Sequence, residues 1–369
     1  MESISFIHCG DIHLDAKFTS TGLTEMKAKQ RRQEIQDAFI AIINKVIELD
    51  VQILLIAGDL FEHEYISKNT AEFIQRQLER IPKVRIFISP GNHDPYTVNS
   101  YYSILDWPTN VHIFKSTMEK VELTEYNMAV YGGAFSNKYR YESILDEIKD
   151  IDKSKINILL THGTLDIGSS ECPYHPISSS QIKELGFDYA ALGHIHKMSG
   201  EDVVNDSRVG YCGSPEPMGF DEPGKHGVIY GKISDNGVRF QTIALSKRQC
   251  ITQEVDISGA INMNEIEEHV KKLLENMNDD LVRIVLTGKK AKELDIDVQL
   301  ITSRLADWCF YLKVVDHTCP DYPLDDLRKQ QNLKGVFVRK LLNEIDMEQD
   351  EQRRNLLYKA LYLGLDALN

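Results

Sequence analysis

Residues 4–13 read ISFIHCGDIH, an apolar run followed by a glycine and two side chains that commonly bind metal ions, Asp11 and His13. Residues 84–94 read VRIFISPGNHD and repeat this arrangement, with Asn92 after the apolar run. A short apolar run bounded by turn residues is typical of a buried strand. The glycines allow tight turns. The pattern therefore predicts strands that end in polar functional groups.

The first 245 residues repeat this alternation of strands and helices. Strand-like runs occur at Ser5–His8, Gln52–Ala57, Val84–Ser89, Met128–Tyr131, Ile156–Thr161, Tyr189–Leu192 and Gly227–Ile233. Apolar residues at helical spacing predict helices over Thr24–Leu49 and Thr70–Ile81. Strand–helix–strand order favours an α/β fold with largely parallel strands. Because the later strands follow one another without long helices, we expect a second sheet.

Beyond residue 245 the pattern changes to a small α+β module and then to charged helices. The module has predicted strands and helices at Ile251–Val255, Asn264–Glu275, Leu281–Leu286, Val298–Leu305 and Phe310–Val315. The helices that follow are expected at Val336–Ile345 and Asp350–Leu368. The sequence therefore predicts a main domain at 1–245, an α+β domain at 246–320 and a helical tail at 321–369.

Composition and charge are those of an ordinary globular protein. Of the 369 residues, 42% are hydrophobic and 27% charged, and no apolar run approaches the roughly 18 residues of a membrane span. The net charge of −14 argues mildly against indiscriminate binding of nucleic acid. The cysteines form no C-x-x-C pair, which favours free thiols: Cys9, Cys172, Cys212, Cys250, Cys309 and Cys319. We expect a cytoplasmic protein that has no membrane partner.

Five predicted strand ends carry donors of the kinds that bind metal ions. These donors are Asp11, His13, Asp59, Asn92, His93, Asp94, His162, His194 and His196. Singly, such an aspartate is ordinarily a turn residue and such a histidine a polar strand terminus. Together, at the sheet edge where α/β folds place ligands, they predict a dinuclear site. Carboxylate, imidazole and amide donors without thiolate favour manganese, with iron, zinc or magnesium as alternatives.

Two such ions suit hydrolysis of a phosphate ester, because they can hold both the attacking and the leaving oxygen. The order D-x-H, G-D, G-N-H-D, H and G-H-x-H resembles that of the calcineurin-like metallophosphoesterases over residues 4–233. The resemblance implies a four-layer α/β/β/α sandwich. It also implies two ligand sets that share Asp59: Asp11, His13, Asp59 and His196 for one ion, and Asp59, Asn92, His162 and His194 for the other. By the same resemblance, His93, paired with Asp94, donates a proton to the leaving oxygen or steadies the phosphate.

Further features resemble the SbcD-type DNA-repair nucleases, especially their YhaO-like bacterial branch. The third motif ends in Asp94, where protein serine/threonine phosphatases usually have Glu, and residues 211–227 contain the series GSP, FDE and HG. The C-terminal parts are similar in size and position to the capping domain and docking helices of those nucleases. The resemblance implies an exonuclease that hydrolyses DNA phosphodiesters with a metal-activated hydroxide, in DNA repair or end processing. Endonuclease activity is left open.

Two alternatives stay open at this point. One is a phosphodiesterase or phosphatase that acts on a small nucleotide with the same site. The appended residues after 245 argue against it, because a small substrate needs little capping. The other is a mainly structural subunit of an ATPase complex. The filled set of ligand positions argues against that reading, although it does not measure a rate.

Candidate substrate contacts lie outside the ligand pattern. Related nucleases often carry a histidine directly after the GDLF run, whereas here Glu62 follows and His63 comes next. His63 either takes over a role in positioning DNA or is a solvated loop residue. Basic and aromatic side chains alternate at Lys138, Tyr139 and Arg140. Proteins that bind single-stranded nucleic acid often combine such side chains, although a solvated surface loop can have the same sequence pattern.

The last predicted helix carries more leucine than a purely surface helix needs. Its apolar residues are Leu356, Leu357, Ala360, Leu361, Leu363, Leu365 and Leu368. Apolar residues on more than one face mean that the helix packs on its own domain or docks on a partner. By resemblance, the partner would be a coiled-coil ABC-type ATPase like SbcC. The resemblance also leaves a homodimer open.

Overall fold

The computed structural model describes residues 3–18, 22–167, 174–199, 209–291 and 293–368. Cys172 lies outside the described residues, and the other cysteines are free thiols. The chain divides into two compact units, Met1–Cys250 and Ile251–Asn369. Among the described residues, no helix has both the length and the apolar character that a membrane crossing requires.

The first unit contains two main β-sheets. Its strands are β1 (Ile4–Cys9), β2 (Ile53–Ile56), β3 (Arg85–Ile88), β4 (Val111–Ile113), β5 (Glu119–Leu123), β6 (Met128–Gly132), β7 (Ile156–His162), β8 (Thr164–Leu165), β9 (Pro176–Ile177), β10 (Tyr189–Gly193), β11 (Val209–Tyr211), β12 (Gly227–Ser234) and β13 (Gly237–Ala244). The first sheet has the order β13-β12-β1-β2-β3-β4, and the second has the order β11-β10-β7-β6-β5. Strands β8 and β9 form a separate pair. The expected second sheet is confirmed.

Parallel pairing brings the functional strand ends to one edge of the first sheet. Strands β1 to β4 are parallel, and Cys9 pairs with Ile56, which in turn pairs with Ile88. Strand β12 pairs antiparallel with β1, and β13 pairs antiparallel with β12. Because parallel strands end at the same edge, the segments that follow Cys9, Ile56 and Ile88 emerge side by side.

The second sheet contributes two further strand ends. Strands β6, β7, β10 and β11 are parallel to their neighbours, whereas β5 pairs antiparallel with β6. His162 at the end of β7 pairs with Gly193 at the end of β10. His162 and the segment after Gly193 therefore leave the sheet together.

Two apolar faces bury one another between the sheets. Phe6 and Leu55 from the first sheet share a buried cluster with Ile158 and Leu160 from the second. The α-helices among the described residues of this unit are α1 (Glu25–Glu48), α2 (Lys68–Glu79), α3 (Tyr101–Ile104) and α4 (Ser179–Leu185). Helices α1 and α2 cover the outer face of the first sheet, and Ile182 of α4 packs on the outer face of the second. This is the predicted α/β/β/α sandwich.

The bounds of helix α1 follow from its capping residue and from the spacing of its apolar residues. Thr24 caps its amino terminus, where the side-chain oxygen accepts from the backbone N–H of Lys27 (3.4 Å). Ile35, Phe39 and Ile42 are spaced for one helix face and are fully buried. The helix begins and ends within one residue of its predicted bounds.

The second unit combines a three-stranded sheet with helices. Its elements are β14 (Cys250–Asp256), α5 (Met263–Leu274), β15 (Leu281–Thr287), β16 (Lys289–Lys290), α6 (Val298–Leu305), β17 (Tyr311–Asp316), β18 (Cys319–Pro320), α7 (Leu324–Lys329), α8 (Leu333–Met347) and α9 (Glu351–Ala367). The sheet has the order β14-β15-β17, and β16 pairs with β18. Helices α5 and α6 bury Ile266 and Ile301 in a core with the sheet. The predicted division at residues 245 and 320 stays a prediction.

The helical tail has a small apolar core of its own. Leu361 and Leu365 of α9 are buried together with Val338 of α8. Leu356 and Leu363 of α9 instead expose 66% and 69% of their surface. One face of the leucine-rich helix therefore packs inside its own unit and another stays uncovered, and docking on a partner stays a prediction.

Candidate metal centre

The predicted donor side chains converge where the strands of both sheets end. Atoms of Asp11, His13 and His196 that could bind a metal lie within 4.8 Å of one another. The same is true of Asp11, Asp59 and His162, so the two groups form one continuous cluster. Asp11 and His162 are fully buried, which keeps their polar atoms away from bulk water.

Asp59 contacts both halves of this cluster. Its Oδ2 lies 3.2 Å from Nε2 of His162 and 3.8 Å from Nε2 of His13. Its Oδ1 accepts a hydrogen bond from the backbone N–H of His93 at 2.8 Å. One carboxylate oxygen therefore faces imidazoles on both sides, which is the placement that a ligand shared by two ions needs.

The remaining predicted ligands lie in the same cluster. The Oδ1 of Asn92 is 2.9 Å from Nε2 of His162. The backbone N–H of His194 is 3.0 Å from each carboxylate oxygen of Asp11, and its ring packs edge-on against that of His162, with the ring centres 5.2 Å apart. Nε2 of His196 is 3.1 Å from Nε2 of His13.

Backbone geometry at the strand ends is unusual in the same places. Asp11, His13 and Asp59 have φ angles of 48°, 52° and 49°, in the left-handed region that few residues other than glycine adopt. Gly58 has φ of 86°, and a Cβ there would lie 2.6 Å from Nδ1 of His162. Such backbone conformations concentrate at functional sites, where the surrounding contacts hold them in place.

The outward-facing nitrogens of three of the imidazoles have hydrogen-bond acceptors. Nδ1 of His13 lies 2.8 Å from Glu62, Nδ1 of His196 lies 2.6 Å from Glu222, and Nδ1 of His162 lies 2.9 Å from the carbonyl oxygen of Ala57. Carboxylates and carbonyls only accept, so each Nδ1 carries the proton. In the neutral ring, Nε2 then points a lone pair into the cluster.

This arrangement explains why the cluster fits cations. The Nε2 atoms of His13 and His196 face each other, and Nε2 of His162 faces oxygen atoms of Asn92 and Asp59. Acceptors that face acceptors repel unless a proton or a metal ion lies between them. Imidazole, carboxylate and amide donors together suit divalent transition metals. The outer hydrogen bonds would orient the rings for such ions.

The charges in the cluster point the same way. Burial alone would lower the pKa of His196, but the hydrogen bond to Glu222 and the charge of Asp11 raise the pKa to about 9. Burial likewise opposes the charged form of His162, yet Asp59 raises its pKa to about 9. Burial raises the pKa of Asp11. The buried carboxylates therefore favour a positive charge at Nε2 of these imidazoles, which either a proton or a metal ion can supply.

His93 is paired differently from the prediction. Its Nδ1 lies 2.9 Å from Oε2 of Glu62, while Oε1 of Glu62 accepts from His13. The expected pairing of His93 with Asp94 is wrong, because the carboxylate of Asp94 is turned into the protein. Hydrogen bonding to Glu62 raises the pKa of His93, although burial opposes this shift. In the sequence, Glu62 stood out only because related nucleases often have a histidine at this position.

Asp94 instead holds the two metal-facing loops together. Its carboxylate accepts hydrogen bonds from the backbone N–H groups of Asp59 (3.0 Å), Leu60 (2.7 Å) and Gly91 (2.6 Å), and from the Tyr102 hydroxyl (2.6 Å). Burial and the charge of Asp59 raise its pKa to about 6. Asp94 is therefore joined to the donor cluster through the backbone of Asp59.

The model for calcineurin-like phosphoesterases matches residues 4–198, which contain every donor described above. The chain belongs to the calcineurin-like phosphoesterase family. Members of this family are phosphoester hydrolases that bind two divalent metal ions, so the donor cluster lies in the expected place.

Within the calcineurin-like phosphoesterases, the chain has relatives of two kinds. It is 26% identical over 299 residues to the uncharacterized metallophosphoesterase YhaO of Bacillus subtilis, a match that covers 78% of this chain and 72% of the relative. It is 27% identical over 319 residues to the DNA double-strand break repair protein Mre11 of Methanopyrus kandleri, with 78% and 66% covered. The Mre11 of Sulfurisphaera tokodaii is 24% identical, with 98% and 89% covered.

The GSP, FDE and HG series of this calcineurin-like phosphoesterase supports the metal centre from one side. Glu222 accepts from His196 and also from the hydroxyl of Ser214 (3.1 Å) and the backbone N–H of Met218 (2.9 Å). His226 lies 2.9 Å from the Ser214 hydroxyl. Glu222 was visible in the sequence only as part of a family resemblance, and its contact with His196 gives that motif a physical reason.

The predicted substrate contacts fall into two groups. Arg140 is buried, and its guanidinium donates to the carbonyl oxygens of Glu142, Ala134 and Thr117, at 3.2, 3.4 and 3.0 Å. The structure therefore argues against Arg140 as a substrate contact, since its donors are used inside the protein. Lys138 and Tyr139 are exposed on the loop that Arg140 anchors.

His63 is half-buried beside the centre. Its backbone N–H donates to the carbonyl oxygen of His93 at 2.9 Å. Its Nδ1 is buried and has no hydrogen-bond partner within the ranges that the structure describes. His63 is therefore not a fully solvated loop residue, and its contact with a substrate stays a prediction.

Proposed function

We propose that the protein is a metal-dependent DNA phosphodiesterase of the cytoplasm. It would act as an exonuclease in DNA repair or end processing, with endonuclease activity left open. Two relatives are named as DNA double-strand break repair proteins, and the first of them matches 78% of this chain. Manganese is the proposed metal, with iron, zinc or magnesium as alternatives.

One observation carries this proposal: the Nε2 atoms of the imidazoles point into the cluster and face other hydrogen-bond acceptors. Residues from both sheets contribute to this cluster. We assign the first ion to Asp11, His13, Asp59 and His196, and the second to Asp59, Asn92, His162 and His194. Asp59 is the shared ligand because its Oδ2 faces His13 and His162 at once. When bound, the two ions would supply charge for the phosphate oxygens and activate water as the nucleophile.

His93 is the proposed donor of a proton to the leaving oxygen. Its side chain is 40% exposed, so the ring can be reached from solvent. Its Nδ1 is held by Glu62, which fixes the ring and favours the protonated form. Glu62 would thus position the acid at the same time as it orients His13. General acids of this kind typically contribute about 10²- to 10⁴-fold in rate.

An open cleft beside the centre suits a strand better than an enclosed small molecule. Its volume is about 800 Å³, and His194 and His196 form part of its wall. Lys197 and Lys225 line the same cleft and are exposed. Lysines beside a phosphoesterase centre favour a polyanionic substrate, because phosphate contacts dominate nucleic-acid affinity.

The second unit is the proposed partner-binding part. We propose that residues 246–320 form a cap and that the tail, 321–369, docks onto an SbcC-like coiled-coil ATPase. Support comes from Leu356 and Leu363, which lie two helical turns apart on α9 and are mostly uncovered. A homodimer is the competing use of the same surface.

The substrate class can be tested in a single experiment. The protein would be incubated with manganese and end-labelled single- and double-stranded DNA, beside bis-p-nitrophenyl phosphate and cyclic nucleotides, with a chelator as control. Chelator-sensitive degradation of DNA is expected. Cleavage of the small esters without DNA would instead identify a small-nucleotide phosphodiesterase. No cleavage of any substrate by fully metallated protein would favour a structural subunit.

A further inference from the structure

Three rings form a row that ends at the metal centre. The ring centres of Tyr139 and Tyr174 are 5.9 Å apart, and the planes are inclined by 39°. The ring centres of Tyr174 and His194 are 5.0 Å apart, with an inclination of 37°. These spacings are those of aromatic rings in contact. His194 is an assigned ligand, so the row joins an exposed tyrosine to the reacting site.

The loop that carries Tyr139 is fixed from inside the protein. Arg140 sends its guanidinium inward to three carbonyl oxygens, including those of Ala134 and Thr117. Its own carbonyl oxygen accepts from the backbone N–H of His175 at 2.6 Å, and Arg140 and Tyr174 form a β-bridge. The backbones that carry Tyr139 and Tyr174 are therefore joined directly, which holds the two rings together without help from a ligand.

The outer end of the row is open to solvent. Tyr139 exposes 48% of its surface, and Tyr174 is half-buried. Lys138, the neighbour of Tyr139, is exposed and forms no ion pair among the residues that the structure describes. A pre-formed aromatic face beside a free cation is the combination that holds unpaired nucleic-acid strands.

We propose that Tyr139 and Tyr174 form a stacking platform for an unpaired nucleobase next to the scissile phosphate. The two rings already touch, so the base lies on the open face of Tyr139, and Tyr174 supports that ring from behind. Stacking needs a base that has left its pair, so the platform favours single-stranded ends over intact duplex. This inference rests on the proposed function, because it assumes a nucleotide substrate at the metal centre.

The platform is tested by comparing substrates with and without a base. The pair is thymidine 5′-(p-nitrophenyl phosphate) and methyl p-nitrophenyl phosphate, which share the leaving group. The readout is the ratio of their kcat/KM values, because changes at the metal centre itself affect both substrates. Tyr139→Leu and Tyr174→Leu are each expected to lower this ratio about 5- to 100-fold, mainly through KM for the thymidine ester.

Two further variants make the result specific. Tyr139→Phe keeps the ring and should restore the ratio. Tyr141→Leu is the matched control, because Tyr141 is similarly exposed but lines a separate pocket with Asp146 and Gln181. An unchanged ratio in both leucine variants, in enzyme that still degrades single-stranded DNA, would overturn the platform. Failure of the wild-type protein to cleave DNA would instead overturn the proposed function.

Discussion

Glu62 accepts a hydrogen bond from Nδ1 of His93 at 2.9 Å, although Asp94 is the next residue in the chain. The other oxygen of Glu62 takes Nδ1 of His13 at 2.8 Å. One carboxylate thus orients an assigned metal ligand and the proposed acid together. Asp94, which the sequence suggested for this task, stabilises the loops beneath the centre instead.

Glu62→Gln is expected to lower turnover by about 10- to 100-fold, the usual range for residues that orient a ligand. The amide keeps the shape but removes the charge that favours protonated His93. The loss should be larger with DNA than with bis-p-nitrophenyl phosphate, whose leaving group needs little protonation. Glu64→Gln, at an exposed neighbour, is the control. Equal turnover of wild type and Glu62→Gln on DNA would contradict the positioning role.

His93→Ala should leave the metal content intact, because no proposed ligand is removed. Turnover on DNA should fall by about 10² to 10⁴, the range for a positioned general acid. Metal analysis and rates on the two substrates are measured on the same preparation. A loss of equal size with bis-p-nitrophenyl phosphate would count against proton donation and favour phosphate positioning.

The first unit should lose stability in acid because of His8. Burial lowers the pKa of His8 to about 3, against 6.5 for the ordinary side chain. Between these values the unfolded chain binds more protons, so the free energy of unfolding falls as the pH decreases from 6.5 towards 3. At pH 5 the loss is about 2 kcal/mol.

Urea unfolding at pH 7 and pH 5 checks this expectation for His8. The variant His8→Gln should show a smaller difference between the two pH values than the wild type, whatever its stability at pH 7. Burial also lowers the pKa of His175 to about 3. His175 is present in both proteins and therefore contributes equally to both pH differences. An identical difference in the variant would mean that His8 does not take up a proton on unfolding.

Much of the fold could be predicted because buried strands are continuous apolar runs. Strands β1, β2, β3, β7 and β10 begin and end within one residue of their expected bounds. Strand β5, Glu119–Leu123, was missed because its charged residues alternate at a sheet edge, without an apolar run. Strand β13, Gly237–Ala244, is another edge strand that alternates exposed and buried positions.

The sequence could predict the candidate site only where the position of a residue follows from its place directly after a strand. Asp11, Asp59 and His162 come directly after apolar strands, so parallel pairing brings them together. The partner of His93 depends on how two loops face each other, and the chain order suggested the wrong carboxylate. From the sequence, Arg140 was interpreted as a surface cation. Its neighbours in the sequence do not indicate that its guanidinium donates to carbonyl oxygens inside the protein.

The tail prediction concerns the uncovered face of α9. The double variant Leu356→Asp and Leu363→Asp should melt near the wild type, because both side chains are mostly exposed. It should no longer co-purify with a co-expressed SbcC-like coiled-coil ATPase. Leu333→Asp, at an equally exposed leucine of α8, is the matched control. Retained co-purification would contradict this face as the dock, and a large fall in melting temperature would make it structural.

The central claim is that Asp59 is shared by two ions in one centre. It is tested most directly by the manganese content per chain of wild type and Asp59→Asn after equilibration with the metal and dialysis. Asp221→Asn, at an exposed carboxylate of the cleft, serves as the control. The expected result is two ions in the wild type and control, and loss of tight binding at both positions in Asp59→Asn. Two tightly bound ions in Asp59→Asn would contradict the dinuclear assignment.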